Sequence, residues 1–315
     1  MSRHVIGVDL GGTNVRGALF SENLEVRNRL KRPTHREEGG YAVVDRLVAL
    51  VRALCNEAGT SVSNLAGVGI AVPGPLDVTG GIITSAPNFP DFTNFPLKRL
   101  VEETLGIGVH LENDANAAAY GEFRQGSGRD AHSLIFLGLG TGVGGGIVLD
   151  GKILRGAHGV GGELGHIILA ADGPPCGCGN RGCLEQWASA TAVVRMAKEA
   201  LESGEPSVLA GRESLTAREV FEAAGGSDEL ACRVVARMAH FLGLGIVSLC
   251  HVVDPEVVAI GGGVSESVDL FLPRVRKFVD EQVFPAARGK IKITRAELGD
   301  DAGIIGVASL VRNAG

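Results

Sequence analysis

The sequence predicts an α/β protein built from two similar domains that face a shared cleft. The length of 315 residues suggests about two domains. Apolar runs of strand length alternate with longer segments of helical spacing. The order of apolar strand, Gly/Thr turn and apolar strand occurs twice: a shift of 128 residues places Val5–Phe20 on Ser133–Val148.

The composition indicates a soluble globular chain. Hydrophobic residues make up 45% and charged residues 21%, enough apolar surface for a large core. The net charge of −6 argues against nucleic acid or an anionic membrane as the main partner. The longest uncharged stretches, Ala131–Leu149 and Met238–Val253, are rich in glycine or too short to span a bilayer. We therefore expect a cytoplasmic protein with no nucleic-acid or membrane partner.

Hydrophobic patterning places the elements of both halves. The predicted strands are Val5–Asp9, Val15–Phe20, Leu24–Lys31, Ala66–Val72, Val109–Leu111, Ser133–Leu137, Ile147–Leu149 and Val257–Ile260. The predicted helices are Tyr41–Ala58, Ala115–Phe123, Trp187–Leu201, Glu229–Cys250, Ser265–Val283 and Ala302–Val311.

A glycine turn separates the first two predicted strands, where residues 9–14 have the sequence DLGGTN. The backbone N–H groups of Gly11 and Gly12 can point at an anion, and Thr13 and Asn14 can add donors. Asp9 suits a hydrated Mg²⁺. The same letters suit a plain β-hairpin turn, so this segment alone leaves both interpretations open.

A second glycine turn, residues 140–145, matches the pattern G-x-G-x-x-G. An apolar extended run follows where a dinucleotide-binding fold needs a helix, which excludes that interpretation. A hairpin-type phosphate turn at Thr141 and Gly142 remains. The glycines of 261–263, after another strand, could approach a ribose or serve as a structural turn.

One imidazole and three thiols have the spacing of a structural zinc site. His166 precedes Cys176, Cys178 and Cys183, a complete tetrahedral ligand set. The alternative is three reduced cysteines without a metal, and exposed free thiols rarely cluster in this way. No helix rich in Lys or Arg follows, which argues against a finger that binds nucleic acid.

Three carboxylates are candidate functional groups. Asp114 lies between a strand and a helix, where it can cap the helix or act as a general base in phosphoryl transfer. Glu163 and Glu185 flank the proposed zinc ligands, so a bound metal would fix both. Fixed carboxylates suit hydrogen bonding to a polyol.

These segments resemble the ROK family of sugar kinases, in the actin-like ATPase superfamily, over nearly the whole chain. The resemblance rests on DLGGTN at 9–14, PGP at 73–75, ENDAN at 112–116, LGTGVG at 139–144, ELGH at 163–166 and CGCGNRGCLE at 176–185. It implies two actin-like (ribonuclease H-like) domains around an interdomain cleft. We expect a small domain at 1–117, a large domain at 118–301, and a C-terminal helix at 302–315 that packs on the small one.

The resemblance also implies roles for individual residues. Asp114 is the base that acts on the sugar hydroxyl, and His166 uses one ring nitrogen for zinc and the other for the sugar. The residues implied to hold the sugar are Asn88, Asn113, Asp114, Glu163, His166 and Glu185. Those implied for the nucleotide and its Mg²⁺ are Asp9, Gly11, Gly12, Thr13, Asn14, Thr141, Gly142 and Gly262.

The expected activity is an ATP-dependent hexose kinase, with glucose as the expected sugar. N-acetylmannosamine, N-acetylglucosamine and fructose are alternative substrates, and polyphosphate is an alternative donor. A non-catalytic sugar sensor is a third possibility. Only Met1–His4 precede the first strand, so we expect the enzyme and not the repressor form. The resemblance also implies a homodimer.

Overall fold

The computed structural model describes residues 4–86, 89, 91–212 and 214–313, which form an α/β fold as predicted. The strands are β1 (His4–Leu10), β2 (Asn14–Phe20), β3 (Val26–Pro33), β4 (Leu65–Val72), β5 (Leu76–Asp77), β6 (Ile82–Ile83), β7 (Val109–Asn113), β8 (Ser133–Leu139), β9 (Val143–Leu149), β10 (Lys152–Ile153), β11 (Val257–Gly261) and β12 (Lys292–Arg295). The α-helices are α1 (Gly40–Glu57), α2 (Leu97–Leu105), α3 (Asp114–Gln125), α4 (Glu185–Ala188), α5 (Ala190–Glu202), α6 (Ala217–Gly225), α7 (Glu229–Val253), α8 (Leu272–Gln282) and α9 (Ala302–Asn313).

Two five-stranded sheets have matching topology. The first has the order β3-β2-β1-β4-β7 and the second β10-β9-β8-β11-β12. In the first sheet β1 pairs antiparallel with β2 and parallel with β4, and in the second β8 pairs parallel with β11. The predicted internal repeat is therefore present. The bounds of β1 and β2 coincide with those of β8 and β9 at a shift of 129 residues. This shift is one residue more than the shift of 128 at which the two sequences match best.

The chain divides into two compact units. One comprises Met1–Asp130, Gly146–Gly162 and Asp300–Gly315, and the other Ala131–Gly145 and Glu163–Gly299. Strand β9 passes from the second unit to the first at the Gly145–Gly146 bond. The domain limits of 1–117 and 118–301 remain a prediction; residue 117 lies within α3, which this division keeps whole.

In the first unit, apolar helix faces cover the sheet. Helix α1 buries Val43, Leu47, Leu50 and Leu54, the helical spacing that predicted it. Helix α9 packs against α3, β1 and β4. Helix α9 lies against β1 and β7, whose carboxyl ends carry the candidate residues Asp9 and Asn113.

In the second unit, α7 is the central helix and contacts α4, α5, α6 and α8. It is the one described helix that is long and apolar enough to cross a bilayer by length and composition. In the relevant window 61% is buried within the protein. A buried core helix has the same composition, so this finding is no evidence for a membrane span.

Several details of the predicted elements were wrong or incomplete, and strands β5, β6, β10 and β12 were not predicted. The predicted helix at 187–201 breaks at Ser189, whose extended backbone and side chain cap α5. The predicted helix at 265–283 is a 3₁₀ segment followed by α8. Helices α2 and α6 were not predicted. The glycine turn was expected over 138–146, but residues 138–139 belong to β8 and residues 143–146 to β9.

Candidate functional site

The first glycine turn joins β1 to β2 and is closed by Gly11, whose N–H donates to the carbonyl of Asn14 at 3.0 Å. Thr34 supports the turn from β3's end: its hydroxyl donates to the Gly11 carbonyl at 2.7 Å, and its N–H donates to Thr13. The side chain of Thr13 is exposed. The turn is therefore fixed by its backbone while an exposed side chain remains at its tip.

Asp9, at the end of β1, is paired with a residue that sequence reasoning missed. Arg16 on β2 donates to the Asp9 carboxylate at 2.5 Å and also contacts Asp300 at 2.9 Å. Burial alone would lower the pKa of Arg16, but its hydrogen bond to Asp9 and the two negative charges raise the pKa. The register of the β1–β2 hairpin places Asp9 opposite Arg16, and this register could have indicated the ion pair.

Asn113 and Asp114 occupy the junction of β7 and α3. Asn113 has extended backbone angles, and its side-chain oxygen accepts from the N–H groups of Ala115 and Asn116 at 3.0 and 3.1 Å. Asn113 is thus the N-cap in place of Asp114, although the Asp114 carboxylate also accepts from the Ala115 N–H at 2.8 Å. Asp114 is the first helical residue and is exposed, and a carboxylate in the first turn is favoured by the helix dipole.

The neighbouring Glu112 is fully buried and holds this junction in place. One of its oxygens accepts from Arg155 Nε at 2.9 Å and Nη2 at 2.5 Å. The other accepts from the Asn113 N–H at 3.2 Å and lies 3.4 Å from the Asn116 amide. Burial raises the pKa of Glu112, but the nearby His110 ring and the hydrogen bonds and charge of Arg155 outweigh it and lower the pKa below its ordinary value.

The second glycine turn joins β8 to β9, and the Gly140 N–H donates to the Gly142 carbonyl at 2.9 Å. Residues after the cysteine cluster hold the turn. Glu185 accepts from the Val143 N–H at 3.0 Å, and Thr191 donates its hydroxyl to the Thr141 carbonyl at 2.8 Å. A Cβ atom at Gly142 would collide with the Glu185 carboxylate, so a side chain at 142 would have to displace that carboxylate.

The four predicted metal ligands come together. The ligand atoms of His166, Cys176, Cys178 and Cys183 all lie within 4.8 Å of one another. The sulfur atoms of Cys178 and Cys183 are 3.7 Å apart. A tetrahedral zinc ion with Zn–S bonds of about 2.3 Å places its sulfur ligands about 3.8 Å apart. The cluster therefore has the chemistry and the size to hold zinc.

The two nitrogens of His166 face different partners. Its Nδ1 lies 3.6 Å from Cys176 Sγ, on the side of the thiols. Its Nε2 lies 3.9 Å from the Glu163 carboxylate, which is exposed. One nitrogen can therefore bind a metal while the other is directed towards a second, solvent-accessible partner.

The cysteines of the cluster differ in acidity. A backbone hydrogen bond at Asn180 lowers the pKa of Cys178 to about 7, so a large share of this thiol is ionised at neutral pH. Burial and the neighbouring sulfur atoms raise the pKa of Cys183 to about 12. An exposed, readily ionised thiol beside a buried one gives an incoming cation a first ligand.

The remaining predicted residues have separate outcomes. Gly262 follows β11 with φ +79°, and a Cβ there would collide with the Leu139 backbone. A structural reason for this glycine therefore exists beside the predicted nucleotide role. Asn88 lies outside the described residues. Within the first unit the structure brings Asp9 to the glycine turn, and within the second it joins His166, Glu163 and Glu185 to the cysteine cluster.

Comparison with known proteins identifies similar chains over the full length. A model of the ROK family matches residues 5–314. A glucokinase of Halalkalibacterium halodurans is 38% identical over 315 residues, covering 98% of this chain and 95% of the relative. Solved structures of related proteins also have the same fold over nearly the whole chain.

Two solved structures are similar at high coverage. A ROK hexokinase from Thermus thermophilus has a TM-score of 0.84 and 36% identity, covering 99% of this chain and 100% of the other. A ROK family glucokinase from Streptomyces griseus, in complex with glucose and AMPPNP, has a TM-score of 0.80 and 36% identity, covering 98% and 99%.

Proposed function

The chain belongs to the ROK family, and on that premise we infer that it is a glucokinase, a phosphotransferase that acts on a sugar hydroxyl and uses ATP. The observation that carries this inference is the nearly full-length similarity to glucokinases, one of them in complex with glucose and AMPPNP. The predicted actin-like fold is confirmed by the same structures.

Asp114 is the proposed general base. It would take the proton of the sugar C6 hydroxyl as that oxygen attacks the γ-phosphate of ATP. Its exposure and its place in the first turn of α3, directly after the N-cap Asn113, support this role. Glu112 and Arg155 would act through Asn113 and keep the base in position.

The proposed sugar contacts are Asn88, Asn113, Glu163, His166 and Glu185. The structure describes all of these residues except Asn88. Each described residue lies at or beside the end of a strand or helix. Glu163 supports the role best, since its carboxylate is exposed beside His166 Nε2. Carboxylate–hydroxyl hydrogen bonds fix both the position and the orientation of a polyol.

The proposed nucleotide contacts are the two glycine turns, with Gly11, Gly12, Thr13 and Asn14 in one, Thr141 and Gly142 in the other, and Gly262 near the nucleoside. Backbone N–H groups of these turns would stabilise the charge that develops on the transferred phosphoryl group. Asp9 would orient Mg²⁺ through water. In this proposal Arg16 limits the negative charge that Asp9 presents.

We propose zinc as the structural metal, held by His166, Cys176, Cys178 and Cys183. The ligand distances support it. The ion would cross-link the loop and fix the ring of His166, whose other nitrogen then has a defined direction. We also propose a soluble, cytoplasmic homodimer, which light scattering on the purified protein would test.

A coupled assay with several sugars and two donors tests the proposed function. Glucose, fructose, N-acetylglucosamine and N-acetylmannosamine are each supplied with ATP or with polyphosphate. We expect the highest kcat/KM for glucose with ATP. A higher value for one of the acetylated sugars or for polyphosphate would replace the substrate assignment, and ATP hydrolysis independent of any sugar would overturn the kinase assignment.

A further inference from the structure

Glu185 lies between the cysteine cluster and the second glycine turn and contacts both. Its Oε1 lies 3.8 Å from Cys176 Sγ. Its Oε2 accepts from the backbone N–H of Val143 at 3.0 Å. A single carboxylate therefore bridges a predicted metal ligand and the turn that joins β8 to β9.

The Glu185 carboxylate lies directly against the backbone of the turn at residues 142 and 143. A Cβ atom added to Gly142 would collide with Glu185 Oε2. The carboxylate consequently occupies the volume that any other residue at 142 would fill. A side chain at 142 would therefore have to move the Glu185 carboxylate away from the turn.

Two further hydrogen bonds attach the same segment to the turn. The N–H of Ala190 donates to the Gly140 carbonyl at 2.8 Å, and the hydroxyl of Thr191 donates to the Thr141 carbonyl at 2.8 Å. Gly140, Thr141 and Val143 are thus held by Glu185 and by the first turn of α5. Among these contacts, only the one from Glu185 comes from an ionisable side chain.

We propose that Glu185 is a positioning residue for nucleotide binding: it fixes the glycine turn at 140–143 in the shape that receives the nucleotide phosphates. This role is distinct from the sugar contact proposed above, and it rests on the proposed nucleotide function of the turn. The carboxylate acts through the Val143 N–H and through its contact with Gly142. It also joins the anchored cysteine loop to the phosphate turn.

The test measures AMPPNP binding by calorimetry in the presence of Mg²⁺ and without sugar. We expect Glu185→Ala to weaken binding about tenfold, because it removes a hydrogen bond to a charged acceptor. Glu185→Gln keeps an oxygen that can accept from Val143 and should bind within about threefold of the wild type. Glu222→Ala, an exposed glutamate of α6, is the matched control and should bind normally.

A double-variant cycle separates positioning from general damage. Gly142→Ala should weaken AMPPNP binding in the wild type, because the new methyl group displaces the carboxylate. In the Glu185→Ala background the same change should have little further effect. Additive effects of the two changes would contradict the proposal.

Hydrogen exchange at the Val143 amide gives a readout that needs no ligand. Glu185→Ala should expose this amide and speed its exchange at least about tenfold, and Glu185→Gln should keep it protected. If Glu185→Ala does not fold, Glu185→Asp takes its place, since the shorter side chain keeps the charge but moves it away from Val143.

The outcomes also separate this inference from the proposed function. If the wild type does not bind AMPPNP, the nucleotide function fails and the inference fails with it. If the wild type binds and Glu185→Ala binds equally well while its affinity for glucose falls, Glu185 is a sugar ligand only. That result overturns the inference and leaves the kinase assignment standing.

Discussion

The guanidinium of Arg155 donates two hydrogen bonds to one oxygen of Glu112, whose side chain is completely buried. The two residues are 43 positions apart in the chain. Glu112 in turn accepts from the N–H of Asn113, the residue that caps α3 and precedes Asp114. The ion pair therefore stabilises the backbone from which the proposed base projects.

Removing the arginine should destabilise the protein. Arg155→Met leaves the Glu112 carboxylate buried without its strongest partner, and we expect a loss of about 2 kcal/mol in the free energy of unfolding. The value is below that of a fully buried pair because a third of the Arg155 side chain is exposed. Urea unfolding measures it. The double variant Arg155→Met/Glu112→Gln should recover part of the loss; a double variant as unstable as the sum of both changes would contradict the account.

The same pair gives a pH dependence of defined sign. The pKa of Glu112 is lower in the folded protein than its ordinary value of 4.5. As the pH falls below about 4.5, the unfolded chain takes up the proton first, so this contribution to stability is complete above that pH and decreases below it. We expect Glu112→Gln to show a shallower decline in unfolding free energy between about pH 5 and pH 3. Identical slopes for the variant and the wild type would show that Glu112 does not contribute.

The cysteine cluster predicts the metal content of the purified protein. The wild type should contain about one zinc ion per chain, because the ligand set is complete. Cys178→Ser should lower the zinc content and the unfolding temperature together. Cys232→Ser is the matched control, since Cys232 is also exposed but lies outside the cluster. Mass spectrometry of the metal and calorimetry measure both quantities. Full zinc retention in Cys178→Ser would remove this residue from the ligand set.

Arg16 predicts the magnesium dependence of the reaction. Its positive charge, 2.5 Å from Asp9, opposes a cation near that carboxylate. Arg16→Met should therefore lower the Mg²⁺ concentration for half-maximal activity, by about threefold. Asp300→Asn is the control, because Asp300 is 94% exposed and contacts Arg16 through Nη1 and not through the Nη2 that faces Asp9. An unchanged or higher Mg²⁺ requirement in Arg16→Met would show that Arg16 does not act on Asp9 in this way.

The sequence predicted features that depend on neighbouring residues. The cysteine cluster spans eight residues, with its histidine ten positions earlier, so the spacing alone indicates a metal site. The repeat of strand, glycine turn and strand was visible for the same reason. The pair Glu112–Arg155 could not be predicted, because the sequence around residue 112 does not indicate which distant basic residue contacts Glu112.

Other features stayed open or were wrong because a residue type suits two roles. Asn113 and Asp114 are both good caps, and only the extended backbone of Asn113 decides between them. The glycines of β9 were expected in a turn, yet a Cβ at Gly145 or Gly146 would collide with Leu164 or Ala119. These glycines allow Leu164 and Ala119 to pack closely against β9. A cluster of glycines in a sequence has the same appearance whether it forms a turn or a closely packed strand.

The most direct test of the central claim compares glucose binding and turnover in Asp114→Asn. The amide keeps the size of the side chain but cannot take the proton of the sugar hydroxyl. We predict glucose affinity within about threefold of the wild type and a kcat for glucose phosphorylation at least about 10²-fold lower. A kcat close to that of the wild type would contradict the assignment of Asp114 as the general base.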